Sequence, residues 1–115
     1  MTKQQARLRV RLYARLSKDD GDADKESNSI TNQLQMLRYY SKEKGFEIID
    51  EYVDDGYSGT NYDRPGFQSM LVEIEAGRVG IVITKDLSRL GRNSALTGLY
   101  TNFTFPQYGV RYIAI

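Results

Sequence analysis

The run Gly80-Ile81-Val82-Ile83-Thr84 restricts the fold of this chain more than any other, because it is short, apolar and rich in β-branched residues. A run of this kind is typical of a strand that is buried on both faces. Such strands occur almost only in parallel sheets that are covered by helices on each side. The run therefore favours an α/β fold.

The rest of the chain alternates between strand and helix patterns. Strands are predicted over 8–16, 46–53 and 110–115, and a polar loop is predicted from Lys18 to Glu26. Three helices are predicted between the strands, the first of them capped by Ser27 or Ser29. They are marked by Ile30, Leu34 and Leu37 before Gly45, by Phe67, Met70, Leu71 and Ile74 between Pro65 and Gly77, and by Leu96, Leu99, Tyr100 and Phe103 before Pro106. The order β-α-β-α-β-α-β predicts a mainly parallel sheet of four to five strands with helices on both faces.

Polar clusters follow three of the predicted strands. In an open parallel sheet, ligands bind outside the carboxyl ends of the strands, so segments far apart in sequence would converge there. The clusters comprise Arg15 and Ser17 after the first strand, Asp54, Asp55, Ser58 and Arg64 after the second, and Lys85, Asp86, Ser88, Arg89, Arg92 and Asn93 after the third. The sequence therefore predicts an arginine-rich site around one or two serines.

Composition narrows the chemistry of this site. The 115 residues suit one domain and include neither His nor Cys, which excludes a Ser-His-Asp triad and His or Cys metal ligands. The net charge is only +1, so any basic surface must be local. Arginine stays protonated near neutral pH and suits holding an anion, so a phosphate is the expected substrate. The apolar stretches are too short for a membrane span or a signal peptide, so we expect a cytoplasmic protein.

Each candidate residue also has a purely structural interpretation. Ser17 and Asp55 could be turn residues, and Arg64 and Gln33 could face solvent. Arg89 and Arg92 are three residues apart, so on a helix they would share a face and could form surface ion pairs. It is their joint occurrence at predicted strand ends that favours a functional site.

Four motifs, in order along nearly the whole chain, resemble those of serine site-specific recombinases, the resolvase/invertase family. The likeness is closest to the catalytic domain of large serine recombinases from transposons and integrative elements. The motifs are YARLS (13–17), NSITNQ (28–33), DDGYSGTNYDRPGF (54–67) and KDLSRLGRN (85–93). One position departs from the pattern: Ser88 stands where many relatives have aspartate, and the nearest acid is Asp86.

The resemblance implies roles for individual residues. Ser17 would be the nucleophile that attacks DNA, and four arginines would bind phosphate. Gln33 and Asp55 match the glutamine of the helix motif and the aspartate of the second-strand motif, and Tyr13 matches a position of the first motif. The four arginines are Arg15, Arg64, Arg89 and Arg92.

The resemblance also implies the reaction and the assembly. Ser17 would form a 5′-phosphoserine bond to DNA and release a 3′-hydroxyl, with neither a metal nor a nucleotide cofactor. Dimers would bind each crossover site and exchange strands by subunit rotation in a tetrameric synapse, in the cytoplasm at the nucleoid. Because relatives continue beyond the position of Ile115 into a long interface helix and DNA-binding domains, we expect residues 1–115 to be an isolated catalytic domain with weak, non-specific DNA binding.

Two other functions are compatible with the same fold. One is a small phosphate-binding α/β module, although SKDDGDADKE (17–26) is acidic and unlike a phosphate-binding glycine-rich loop. The other is a catalytically silent DNA-architectural domain, against which the retention of Ser17 and four arginines argues.

Overall fold

The computed structural model of the protein describes residues 8–17 and 29–115. Within them, four strands form one sheet in the order β2-β1-β3-β4, and every pair of neighbours is parallel. The strands are Arg9–Leu16 (β1), Glu47–Asp55 (β2), Ile81–Thr84 (β3) and Arg111–Ala114 (β4). The predicted α/β fold with a parallel sheet is therefore confirmed.

Helical segments connect the strands of the described chain. They are Ile30–Glu43 (α1), Pro65–Glu75 (α2), Leu87–Leu90 (α3), Ser94–Leu99 (α4), a π-helical turn over Tyr100–Thr104, and Phe105–Gln107 (α5). Ser29 caps α1 by accepting a hydrogen bond from the N–H of Asn32 at 3.1 Å. The alternative cap Ser27 and the predicted loop from Lys18 to Glu26 lie outside the described residues.

The third predicted helix differs from its prediction in two ways. Pro106 does not stop it but lies in the first turn of α5, where a missing N–H is tolerated. The π-helical turn adds one residue per turn, so that Tyr100 and Phe105, five residues apart, both contact the core. Leu99 and Phe103, predicted to share the apolar face, are instead 50% and 67% exposed.

The two faces of the sheet are each covered by helices, as predicted. On one face, Leu37 of α1 packs against four apolar residues of β1 and β3. On the other, α2 and the α4–α5 segment pack around Tyr13, with Phe67, Met70, Ile74 and Phe105 fully buried. All four residues of β3 are buried, which confirms the prediction made from its sequence.

The strand order determines where a ligand site can form. From β1 the chain crosses to β2 on one side, and β3 then pairs with the other side of β1. Connections that diverge in this way leave a crevice at the carboxyl ends of the two central strands. Residues 15–17, the loop after β2 and the loop after β3 all meet at this edge.

No helix in the described part of the chain has both the length and the apolar character needed to cross the membrane.

Candidate active site

Arg15 joins the loops that meet at the carboxyl edge of the sheet. Its fully buried guanidinium donates hydrogen bonds from Nε to the carbonyl of Arg89 at 3.1 Å, from Nη1 to that of Tyr57 at 3.0 Å, and from Nη2 to that of Ser88 at 2.6 Å. A guanidinium has five N–H groups, and these bonds use three of them. Arg15 thus holds the site together in addition to carrying charge into it.

The main chain of Arg15 is itself held by two side chains. The amide of Gln33 donates from Nε2 to the Arg15 carbonyl at 3.0 Å and accepts from the Arg15 N–H at 3.3 Å. Arg89 donates from Nη1 to the same carbonyl at 3.0 Å. Gln33 is fully buried, so the solvent-facing interpretation of this residue is wrong.

Ser17 lies directly after β1 and is 6% exposed. It follows Arg15 by two residues, so the predicted nucleophile lies at the end of the strand that carries the central arginine. Its role in catalysis stays a prediction.

The predicted arginines share one electrostatic environment. The pKa of Arg15 is lowered to about 10, first because the guanidinium is buried and then because the positive charges of Arg64, Arg89 and Arg92 act on it. A carboxylate oxygen of Asp86 lies 3.8 Å from the Nε of Arg89 and offsets part of this positive charge. Cations held this close together make the binding of an anion favourable.

Arg64 is not a surface arginine, since it is only 1% exposed. Its Nη1 donates to the hydroxyl of Tyr13 at 2.8 Å, and its Nε donates to the carbonyl of Asn61 at 2.9 Å. The guanidinium carbon lies 4.4 Å from the ring centroid of Tyr62, which is a favourable cation–π distance. Its Nη2 is buried and has no hydrogen-bond partner among the described residues.

Of the two adjacent carboxylates at the end of β2, the structure buries Asp54 and exposes Asp55. Asp54 accepts hydrogen bonds from the Tyr13 hydroxyl at 2.7 Å and from the N–H groups of Gly66 and Phe67 at 2.8 and 2.9 Å. It therefore joins the first turn of α2 to Tyr13 and through it to Arg64. Sequence reasoning assigned the site aspartate to Asp55, and a role for Asp55 stays a prediction. Side chains of a strand alternate between its two faces, so Asp54 lies on the same buried face of β2 as Tyr52. This alternation is the sequence signal that identifies Asp54 as the buried carboxylate.

Arg89 and Arg92 do not share a helix face, so that expectation is wrong. Helix α3 ends at Leu90, and Gly91 is fully extended with φ 178°. Arg89 is buried, whereas Arg92 is exposed and its N–H donates to the carbonyl of Gly59 at 2.6 Å. Ser88 and Arg92 line a cavity of about 630 Å³ together with residues of α4. Of the two arginines, Arg92 is thus the one open to solvent.

Asp86 caps the short helix α3, which the sequence did not predict. Its carboxylate accepts from the N–H of Arg89 at 3.1 Å and from the hydroxyl of Ser88 at 2.5 Å. The acid two residues before Ser88 therefore contacts the same turn as Ser88 and Arg89.

The family model described as "Resolvase, N terminal domain" matches residues 10–114, nearly the whole chain. The chain belongs to this family. Solved structures similar to this chain include the C-terminal catalytic domain of ISC1926 TnpA, an IS607-like serine recombinase, and a resolvase family site-specific recombinase, so the resemblance seen in its motifs is confirmed.

Two solved structures illustrate the likeness of this resolvase-family chain. The N-terminal catalytic domain of TP901-1 integrase is 27% identical, with a TM-score of 0.81 over 92% of this chain and 75% of that one. A resolvase family site-specific recombinase from Streptococcus pneumoniae is 32% identical, with a TM-score of 0.74 over 94% of this chain and 72% of that one. A curated relative, uncharacterized immunity region protein 3 of Bacillus phage phi105, is 34% identical over 68 residues, which span 59% of this chain and 80% of that protein.

Proposed function

We propose that this resolvase-family chain is the catalytic domain of a site-specific DNA recombinase in which Ser17 cleaves and rejoins DNA phosphodiesters. The observation that carries the proposal is that the charges of Arg64, Arg89 and Arg92 all act on Arg15, which lies two residues before Ser17 in the sequence. The transition state of phosphoryl transfer spreads negative charge over the non-bridging oxygens, and fixed cations stabilise it without reorganisation.

The proposed reaction is a transesterification. The Ser17 oxygen forms a bond to phosphorus as the bond from phosphorus to the 3′-oxygen breaks, and the 3′-oxygen leaves as a hydroxyl. The serine loses its proton and the leaving oxygen gains one, so the exchange is balanced. Because one ester replaces another, rejoining is the reverse reaction and needs no nucleotide cofactor.

The proposed site comprises the side chains predicted from sequence. Arg92 is the exposed cation that first meets DNA, while Arg64 and Arg89 hold the phosphoryl oxygens. Arg15 adds its positive charge to the binding of the same anion, and Gln33 keeps the end of β1 in place. Asp55, exposed at the end of β2, is proposed to lie at the edge of the site.

In this proposal the active form is an assembly on DNA. Dimers would bind each crossover site, and two dimers would form the tetrameric synapse in which strands are exchanged, in the cytoplasm at the nucleoid. This chain by itself would bind DNA weakly and without sequence preference, since it can neutralise few phosphates.

Trapping of a covalent protein–DNA adduct tests the proposal, with this catalytic domain carried in a full-length recombinase because the chain by itself would bind DNA weakly. A DNA duplex with a nick beside the cleaved phosphate releases a short strand after cleavage, so the adduct accumulates. Peptide mapping should locate the phosphodiester on Ser17, and Ser17→Ala should form no adduct. Ser88→Ala is the matched control, because it removes a hydroxyl from the neighbouring loop, and it should still form the adduct.

Two results would overturn the proposal. A normal adduct yield from Ser17→Ala would place the nucleophile elsewhere. DNA binding by the wild-type protein with no adduct on any nicked substrate would favour a catalytically silent DNA-architectural domain.

A further inference from the structure

A chain of buried polar groups connects Asp54 to Arg64 through the hydroxyl of Tyr13. The two hydrogen bonds measure 2.7 Å from Tyr13 to Asp54 and 2.8 Å from Arg64 to Tyr13. Exposure is 2% for Asp54, 0% for Tyr13 and 1% for Arg64, so water does not compete for these bonds. Buried hydrogen bonds of this kind fix orientation more strongly than exposed ones do.

The chemistry of the three groups determines the direction of both hydrogen bonds. A guanidinium can only donate and an ionised carboxylate can only accept, whereas a phenol has a single proton. Tyr13 must therefore donate to Asp54 and present a lone pair to Nη1 of Arg64. Asp54 is held in turn by the N–H groups of Gly66 and Phe67, at the start of α2.

The phenol keeps its proton at all working pH values. Burial raises the pKa of Tyr13 far above its usual value. The positive charge of Arg64 opposes this rise, whereas the hydrogen bond to Asp54 and the negative charge of Asp54 add to it. The direction of the two hydrogen bonds is therefore constant wherever a recombinase would act.

The guanidinium of Arg64 is held on three sides. The hydroxyl of Tyr13 accepts a hydrogen bond from Nη1, and the carbonyl of Asn61 accepts one from Nε. The ring of Tyr62 lies against the guanidinium plane. The third nitrogen, Nη2, is buried and has no hydrogen-bond partner among the described residues. A buried N–H group without a partner is unfavourable, so this atom gains free energy from any oxygen that reaches it.

We infer that Asp54 and Tyr13 are positioning residues that orient the Arg64 guanidinium, so that Nη2 is directed at a phosphate oxygen of DNA. The inference rests on the proposed function for its ligand, but the orientation of Arg64 can be measured without DNA. Asp54, Tyr13 and Arg64 together form what we call the positioning relay.

The neighbouring strand supplies a matched control for the relay. Tyr52 is the register partner of Tyr13 on β2, and its hydroxyl accepts a hydrogen bond from Nη1 of Arg11 at 2.6 Å. Tyr13→Phe and Tyr52→Phe therefore each remove one bond between a tyrosine hydroxyl and an arginine from the same sheet. Arg11 is not among the arginines that act on Arg15.

The experiment compares the two variants in two measurements. At saturating nicked DNA, the single-turnover rate of adduct formation should fall at least about tenfold in Tyr13→Phe and stay unchanged in Tyr52→Phe. In the free protein, the side-chain nitrogen signals of Arg64 in NMR spectra should show slow rotation in the wild type and in Tyr52→Phe. In Tyr13→Phe they should average, because Nη1 has lost its acceptor.

Asp54→Ala provides a second, independent variant. It removes both carboxylate oxygens, so the phenol of Tyr13 loses its acceptor, as do the N–H groups of Gly66 and Phe67. The rate should fall as in Tyr13→Phe, and the double variant should be no slower than the slower single variant, because both act through Arg64. The relay is refuted if Tyr13→Phe retains slow rotation of the Arg64 guanidinium, or if it cleaves DNA at the wild-type rate.

Failure of the proposed function can be told apart from failure of the relay. If the wild-type protein forms no adduct but Tyr13→Phe releases the Arg64 guanidinium, the relay stands and the recombinase reaction does not. If the wild-type protein cleaves DNA and the guanidinium signals of Tyr13→Phe match those of the wild type, the reaction stands and the relay does not.

Discussion

Gly59 lies where the loop after β2 passes two arginines of the candidate site. A Cβ atom at this position would lie 2.7 Å from Nη2 of Arg15 and 2.9 Å from Cγ of Arg92, well inside van der Waals contact. The requirement for glycine here comes from close approach, because Arg15 is buried and bound to three main-chain carbonyls and so cannot move aside. A single methyl group would thus disturb the residue that joins the loops of the site.

Gly59→Ala should reduce both stability and DNA cleavage. We expect a loss of about 1–3 kcal/mol in the free energy of unfolding, the usual cost of overpacking, together with slower adduct formation. Gly98→Ala on α4 is the control, since the nearest atom to its added Cβ lies 3.7 Å away, and it should stabilise the helix by up to about 1 kcal/mol. Urea unfolding and adduct assays measure both effects. Wild-type stability in Gly59→Ala would contradict the close packing.

Arg89→Lys and Arg92→Lys should separate catalysis from stability. Each substitution keeps the positive charge but loses the planar guanidinium that can donate two parallel hydrogen bonds to a phosphate. Each should therefore slow adduct formation by about a hundred- to a thousandfold. Arg89 is buried and donates to the carbonyl of Arg15, so its lysine variant should also lose about 1–3 kcal/mol of stability. Arg92 is exposed, so its variant should change stability by less than about 0.5 kcal/mol. Full cleavage by Arg92→Lys would mean that Arg92 does not bind phosphate.

At the scale of elements, the candidate site depends on contacts between segments that do not adjoin in sequence. Gln33 of α1 forms two hydrogen bonds to the main chain of Arg15 in β1. Asp54 of β2 accepts from the first turn of α2, and Arg89 of α3 donates to the carbonyl of Arg15. Each contact sets the distance between a helix and the end of a strand, and so the position of the side chains that the strand end carries.

Gln33→Leu tests the contact between α1 and β1. Leucine has nearly the same volume but cannot bond the N–H or the carbonyl of Arg15, so we expect a loss of about 1–3 kcal/mol in unfolding free energy. Gln35→Leu, at an exposed position of the same helix, should change stability by less than about 0.5 kcal/mol. Equal effects of the two substitutions in urea unfolding would show that the Gln33 amide does not hold β1.

At the scale of the whole molecule, β4 completes the sheet through its pairing with β3 and through a side-chain hydrogen bond. The hydroxyl groups of Tyr112 and Thr84 lie 2.5 Å apart across the two strands. Burial raises the pKa of Tyr112 to about 12, and its hydrogen bond to Thr84 opposes the rise. The neutral phenol is therefore favoured by the folded state.

The pH dependence of stability is a consequence of this shift. A pKa that is higher in the folded state gives stability that is fully present below the unfolded value near 10 and is lost as the pH rises to about 12. Tyr13 acts in the same direction, whereas Arg15, whose pKa is lowered to about 10, gains stability over the same range and opposes them. Between pH 10 and pH 12, Tyr112→Phe should therefore remove about 2 kcal/mol of the fall in the free energy of unfolding. Chemical unfolding at a series of pH values measures it, and an unchanged fall in the variant would contradict the assignment.

Local patterns were sufficient for the class of fold and for the edge of the sheet at which the polar loops meet. Hydrophobic periodicity depends only on neighbours within a few residues, so the strands, the main helices and the parallel sheet could be predicted from it. The carboxyl ends of parallel strands share one edge, so the convergence of Arg15, Arg64, Arg89 and Arg92 could be predicted as well. The β-branched and mostly apolar β3 required covered faces, and the structure has them.

The partner and the burial of each polar side chain depended instead on packing between distant segments. Asp54 and Asp55 are chemically identical, and what buries Asp54 is that its side of β2 faces Tyr13 and the start of α2, 12 to 13 residues further along. Arg15, Arg64 and Arg89 could have been surface arginines, and they are buried because the loops around them offer carbonyl and hydroxyl acceptors. The π-helical turn likewise depends on Tyr100 and Phe105 both reaching the same core. The free energy of a side chain in a fold depends on what surrounds it in space. In this protein those surroundings come from strands and loops that are far apart in the sequence.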